Sequence, residues 1–240
     1  YGEGKMTEPK EIVNEINIYF NLLNKNKKYK ALVTAGPTHE YIDPVRFITN
    51  KSSGKQGFAI AKSLINKGFE TTLITGPTNF EADNNINLIK VETADQMFKA
   101  TQENLPVDVA IFSAAVSDFK SKEQLNTKIK KQASMSLNLE KNVDILNYVS
   151  NHNSLRPKLV IGFAAETNDL DKNAISKLVS KNCDWIIAND ISKEDSGFDS
   201  NYNEVVIHYK NPKNKKEKLS FKKKSEISEE IVDRIVAQIN

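Results

Sequence analysis

Residues 43–58 read DPVRFITNKSSGKQGF, with two serines, two glycines and two lysines set just ahead of an apolar run that has the spacing of a helix start. Ser52, Ser53, Gly54, Lys55 and Gly57 then fall at a helix N-terminus, where free N–H groups and the helix dipole favour an anion such as phosphate. Glycine there lets the backbone approach a ligand closely. Ser-Ser-Gly is also ordinary capping chemistry, so the loop alone supports anion binding and plain capping equally. It matches neither G-x-G-x-x-G nor G-x-x-x-x-G-K-[ST], which disfavours a standard dinucleotide or Walker-type site.

Other residues carry possible chemistry, each with a blander alternative. Lys128, Lys130 and Lys131 in NTKIKKQ concentrate positive charge on a loop. A lysine closing over a triphosphate would offset the charge that builds up when the α-phosphate is attacked; in isolation such a run is more often a solvated one. Asp118 in SAAVSDF and Asp144 in NVDIL suit a ligand site or a helix cap. Phe163 in GFAAET could stack on a base or fill a core. Lys177 and Lys181, four residues apart on one helix face, could both reach an anion or both sit in solvent. The basic stretch KNPKNKKEKLSFKKK has a single aromatic, Phe221, and no groove-reading helix, so it reads as a solvated hairpin and not as a nucleic-acid surface.

The elements that would position these residues alternate along the chain. KALVTAG, ETTLITGP, VDVAIFSAAV, LVIGFAAE and CDWIIAND have the Val/Ile/Ala-rich character of buried strands. FAIAKSLINKG, TADQMFKATQEN and TNDLDKNAISKLVSKN between them have helical spacing. The pattern predicts an α/β fold with a doubly wound, mainly parallel, Rossmann-like sheet. In such sheets ligands sit beyond the carboxyl ends of the strands, which directs attention to TAGPT, TGPTN, SAAVSDF, GFAAET and ANDIS. Two segments depart from the alternation. Residues 121–142 form a lysine-bearing flap followed by the alternating SMSLNL, which reads as a strand on an excursion. NEVVIHYK and KEKLSF predict an antiparallel hairpin around NPKNKK, followed by the amphipathic helix EISEEIVDRIVAQIN.

The 240 residues accommodate one main domain, 30–240, preceded by a helix and connector over 1–29 in which Ile12, Ile16, Phe20 and Leu23 recur at helical spacing. A hydrophobic share of 39% and a charged share of 27% belong to a chain that folds. A net charge of +3 is too small to indicate a nucleic-acid partner. The single cysteine, Cys183, excludes an intramolecular disulfide and a multi-cysteine metal site, and the three histidines are scattered. No apolar run reaches the roughly 18 residues of a membrane span. The expectation is a cytoplasmic protein with no membrane partner.

Taken in order, TAGPTHEYIDPVRFITNKSSGKQGFAIA, SAAVSDF, KIKK, GFAAET and KNCDWIIAND closely resemble the phosphopantothenoylcysteine synthetases, the synthetase domain of the bacterial bifunctional coenzyme A biosynthesis protein. The resemblance covers residues 30–240 and implies a ligase that joins 4'-phosphopantothenate to cysteine while cleaving CTP to CMP and pyrophosphate through an acyl-cytidylate. It implies catalytic roles for Lys128, on the triphosphate in the first half-reaction, and for Asn50, in the second. Phe112, Ser113, Ala114, Asp118, Lys128, Val143, Asp144, Ile145, Leu146, Phe163, Lys177 and Lys181 match CTP-binding positions. Arg46, Asn50, Ser52, Ser53, Gly54, Lys55 and Gly57 match phosphate- and phosphopantothenate-contacting ones.

The family further implies magnesium on the triphosphate, with its protein ligands unknown, no flavin in this domain, and a homodimer with sites near the interface. YGEGKMTEPKEIV resembles the end of a flavin-dependent decarboxylase domain. Residues 1–29 are therefore expected to be the remnant of a fused unit, through which higher oligomers would form. Three departures touch contact details: Asn142-Val143-Asp144-Ile145 where Asn-Pro-Asp-Ile is frequent, His39 where Arg is common and Phe119 where Tyr is common. The rival readings are an NAD(P)-dependent reductase, disfavoured by the missing glycine fingerprint, and a non-catalytic nucleotide-binding module, which would need neither the lysine flap nor Asn50. The choice between CTP and ATP stays open, since it rests on backbone contacts and pocket shape.

Overall fold

The structure, a computed structural model, describes residues 7–23, 29–131, 133–192, 200–212 and 215–239. After helix α1 (Pro9–Leu23) come β1 (Lys30–Ala35), β2 (His39–Tyr41), β3 (Phe47–Thr49), α2 (Lys55–Asn66), β4 (Glu70–Thr75), β5 (Asn87–Lys90), α3 (Ala94–Glu103) and β6 (Val109–Phe112). The second half holds β7 (Phe119–Ser121), β8 (Leu139–Lys141), α4 (Ile145–Ser150), β9 (Leu159–Glu166), α5 (Leu170–Lys181), β10 (Trp185–Asp190), β11 (Tyr202–Tyr209), β12 (Lys216–Lys223) and α6 (Lys224–Ile239).

Eight strands form one mixed sheet in the order β12-β11-β10-β9-β6-β1-β4-β5. The six from β10 to β5 are parallel; β11 and β12 run antiparallel and extend one edge as a hairpin. In this sheet β4 lies on one side of β1 and β6 lies on the other, so the chain reverses its direction of travel across the sheet at β1. A crevice opens at the carboxyl ends where such a reversal occurs.

The continuous apolar runs follow from burial on both faces. Successive residues of a strand point to opposite sides. Thus Val33 joins Phe58 and Leu64 of α2 and Ile227, Ile231 and Ile235 of α6 in one core layer. Leu32 joins Met97 of α3, Leu146 and Val149 of α4 and Leu178 of α5 in the other. Among the described residues no helix is long and apolar enough to cross a membrane.

Several elements differ from the sequence reading. The stretch read as one loop between β1 and α2 contains an antiparallel hairpin, β2 with β3. The VDVAIFSAAV strand stops at Phe112, and Ser113–Val116 leave the sheet towards the crevice. In SMSLNL only Leu139 enters a strand, β8, which pairs with β7 away from the main sheet. Residues 133–138 are exposed and make no ladder, because their alternation has no buried face to serve.

Candidate functional site

Gly54 adopts a left-handed conformation at φ +80° and is the N-cap of α2, a residue with no side chain of its own to cap the first turn. A Cβ at Gly57 would stand 2.5 Å from the Ala35 Cβ and 2.6 Å from the Ser113 Oγ, so only glycine lets this turn lie against the ends of β1 and β6. Those two ends are themselves tied, because Ser113 Oγ donates to the Thr34 carbonyl at 2.6 Å. The turn faces a cavity of about 670 Å³, within the range of small-molecule sites.

The opposite wall comes from the loop after β6 and from α4 and α5. Asn142 fastens it: its N–H donates to the Asp118 carbonyl at 2.9 Å and its Nδ2 to the Ser117 carbonyl at 2.8 Å. Asp144 caps α4 by accepting the Asn147 N–H at 2.9 Å, and its carboxylate also meets the Lys181 ammonium. Lys177 donates to the Phe163 carbonyl at 2.7 Å. Burial depresses the Lys177 pKa below the ordinary lysine range, because the ammonium gives up water for few partners. The i, i+4 spacing of the two lysines thus places both on the cavity side of α5.

Of the residues selected from the sequence, the cavity gathers Ser52, Ser53, Gly54, Lys55, Gly57, Phe112, Ser113, Ala114, Asp118, Val143, Asp144, Ile145, Leu146, Phe163, Lys177 and Lys181. Three stand outside its lining. Asn50 is adjacent, its Nδ2 donating at 3.0 Å to the carbonyl of Ala115, a lining residue. Arg46 is engaged elsewhere, with Asp43 at 2.6 Å and with the Ile129 carbonyl at 3.3 Å. Lys128 is exposed on the flap. The TGPTN loop also lies outside the lining and backs it, since a Cβ on Gly36 or Gly54 would meet the Thr78 methyl at 2.8 or 2.9 Å.

Sequence reasoning missed Gln56, Asn203 and Lys224, which line the same cavity. Asn189, in the ANDIS segment at the carboxyl end of β10, lines it too, as the strand-end rule anticipates. Gln56 braces α2 by donating to Ser228 Oγ at 2.8 Å and accepting from Asn203 Nδ2 at 3.2 Å, contacts that no local pattern announces.

Among the described residues the lining carries five lysines (Lys55, Lys141, Lys177, Lys181 and Lys224) against two aspartates, Asp118 and Asp144. Such a balance around a helix start suits a multiply charged anion. No group of three or more His, Cys, Asp or Glu is placed to hold a metal among the described residues. The fold and site together define the class: an α/β protein with a basic, nucleotide-sized cavity at the carboxyl ends of its parallel strands.

Comparison with known proteins narrows the class. Residues 26–239 match the DNA/pantothenate metabolism flavoprotein C-terminal domain, and the chain belongs to that family. It is 40% identical over 237 residues to the coenzyme A biosynthesis bifunctional protein CoaBC of Haemophilus influenzae, covering 98% of this chain and 58% of that protein. The chain therefore spans well under two thirds of such a relative. The crystal structure of the C-terminal domain of a CoaBC superposes with a TM-score of 0.73 at 36% identity, covering 88% of this chain and 95% of the other. The DNA/pantothenate metabolism flavoprotein from Streptococcus pneumoniae gives 0.71 at 27% identity, covering 88% of this chain and 99% of the other.

Proposed function

We propose that residues 30–240 form a phosphopantothenate–cysteine ligase that activates 4'-phosphopantothenate with CTP and transfers it to cysteine. The observation that carries the reading is the joining of the glycine-capped first turn of α2 and the Lys177–Lys181 pair in one basic cavity, in a chain of this family.

A carboxylate is a poor acyl donor until one of its oxygens becomes a good leaving group. In the first step the phosphopantothenate carboxylate attacks the α-phosphorus of CTP, the bond to pyrophosphate breaks, and an acyl-cytidylate forms. In the second the cysteine amine attacks the acyl carbon, CMP leaves, and the amine gives up a proton as the amide forms.

In this scheme the N–H groups at the start of α2 and the nearby Ser52 and Ser53 hold phosphate. Lys177, Lys181 and Asp118 hold the nucleotide, with Phe163 against the base. Lys128 comes down from the flap to the triphosphate as charge develops there. Asn50 turns its amide from the Ala115 carbonyl to the oxyanion of the second step. With two aspartates on the lining among the described residues, one of them paired with Lys181, the residues fit magnesium carried on the nucleotide and not a protein-built cage. Bound there, the ion would neutralise phosphate charge. We place the active form as a homodimer, in keeping with the family resemblance.

The test is pyrophosphate release by the 240-residue chain with CTP, magnesium and phosphopantothenate, with and without cysteine, and with ATP and UTP as comparators. Release that requires phosphopantothenate, with amide formed only when cysteine is present, is the expected result. Stabilisation by NADPH with no pyrophosphate from any nucleotide would overturn the reading in favour of a reductase.

A further inference from the structure

We propose that Asp43 is a positioning residue for the lysine flap: with Arg46 it clasps the backbone of Ile129 and so sets the place from which Lys128 and Lys130 reach the site. The proposal rests on the reading that Lys128 meets the triphosphate.

Asp43 has no exposed side-chain surface. Its two oxygens divide the work. Oδ1 accepts the N–H groups of Val45 and Arg46, both at 2.8 Å, which is the local turn chemistry expected of an aspartate. Oδ2 makes no contact within the turn backbone; it takes the Arg46 Nη1 at 2.6 Å and the N–H of Ile129, 86 positions away, at 3.0 Å. Arg46 completes the grip by donating from Nη1 and Nη2 to the Ile129 carbonyl at 3.3 and 3.4 Å. Both backbone groups of one flap residue are therefore held by a single ion pair. Burial by itself would raise the Asp43 pKa; the N–H groups of Ile129, Val45 and Arg46 and the guanidinium charge outweigh it and hold the carboxyl below its ordinary range.

Ile129 is the one residue between 122 and 140, among those described, that is not exposed. A second tether, the Leu125 N–H to the Ile42 carbonyl at 3.0 Å, lies on the same turn. The turn joins β2 to β3, and Asn50 follows β3 directly. One hairpin thus carries the clasp at its tip and the proposed catalytic asparagine at its base. Arg46, expected from the family pattern to contact phosphate, here serves the flap.

Asp43→Asn separates the two oxygens' roles. The amide oxygen can keep the turn, while the amide nitrogen would face the Ile129 N–H and the guanidinium, donor against donor. Limited digestion with a lysine-specific protease at Lys128, Lys130 and Lys131, needing no activity, reads flap docking. Loss of a charge-assisted hydrogen bond predicts cleavage about tenfold faster than in the wild-type chain. Pyrophosphate release should show kcat reduced about tenfold with the KM for phosphopantothenate unchanged and with the folded fraction, read by circular dichroism at the assay temperature, equal to that of wild type, whereas a general loss of structure would lower kcat and the folded fraction together.

Cleavage within twofold of wild type overturns the clasp. Faster cleavage with undiminished release overturns the positioning role. Should Asp43→Asn fail to fold, Arg46→Lys keeps the charge but loses the fork that spans carboxylate and carbonyl; unchanged cleavage there likewise overturns the clasp. A wild-type chain that releases no pyrophosphate refutes the ligase reading and leaves the digestion result to judge the clasp by itself.

Discussion

Replacing Gly57 with alanine asks whether the first turn of α2 holds phosphate. The new Cβ would lie 2.5 Å from the Ala35 Cβ and 2.6 Å from the Ser113 Oγ, whereas ordinary contact begins near 3.4 Å. The Ala35 methyl is fixed to β1 and cannot rotate away, and the Ser113 hydroxyl is held on the Thr34 carbonyl. Either α2 shifts outward by about 1 Å or the ends of β1 and β6 part. Overpacking of this kind costs about 1–3 kcal/mol. At roughly 2–4 °C per kcal/mol for a chain of this size, Tm should fall by about 2–12 °C. The same displacement carries the N–H donors of the turn out of register with the phosphate, and an error near 1 Å costs up to about 10²-fold in rate. Pyrophosphate release should therefore lose about 10- to 100-fold in kcat/KM. Gly68 supplies the control, since it has φ +85° just beyond the other end of α2, roughly 16 Å away. Gly68→Ala strains the backbone by about 1 kcal/mol but leaves the cavity untouched. If both variants lose stability and both keep activity within threefold of wild type, the α2 turn is not the phosphate grip.

Further outcomes follow from the same geometry. Lys128→Gln should abolish pyrophosphate release, whereas Asn50→Asp should permit release and block amide formation; full turnover by both would refute the assigned half-reactions. Lys177→Met should stabilise the ligand-free chain by about 1 kcal/mol near pH 7, because a buried ammonium is removed, and should weaken CTP binding about tenfold, read by thermal shift and calorimetry. Because the folded pKa of Lys177 lies below the unfolded value near 10.4, wild-type stability rises as pH climbs between the two. The stability gap between the variant and wild type should narrow over that window, and a widening gap would refute the burial argument.

Strands buried on both faces were legible in the sequence because burial leaves continuous apolar runs, as in KALVTA and WIIAND. β5 escaped notice because NLIK, at the edge of the sheet, is partly exposed throughout and alternates weakly. β2 and β3 have three residues each, too few for a period of two to declare itself. SMSLNL shows the converse error, an alternation with no partner sheet to bury one side. In the site, residues whose role depends on a helix start or a strand end could be read locally. Asp43 could not, because its partner Ile129 is distant in sequence and is recognised through backbone atoms. Gln56, held by Asn203 and Ser228, is hidden for the same reason.

That bracing of Gln56 changes the standing of the C-terminal hairpin and helix. On the sheet side, the first turn of α2 is set by the contact of Gly57 with Ala35 and Ser113. On the other side it is set by the Gln56 amide, gripped between β11 and α6, while Asn203 and Lys224 themselves line the cavity. A six-stranded parallel sheet would supply the crevice and one flank of the turn but leave the other flank without support. The antiparallel extension adds little to the strand-end chemistry, yet it fixes the position of the donors on which anion binding depends. A rigid turn is worth having here because those N–H groups must already point at the phosphate before it arrives; donors that had to be ordered on binding would give back part of their interaction energy as lost entropy.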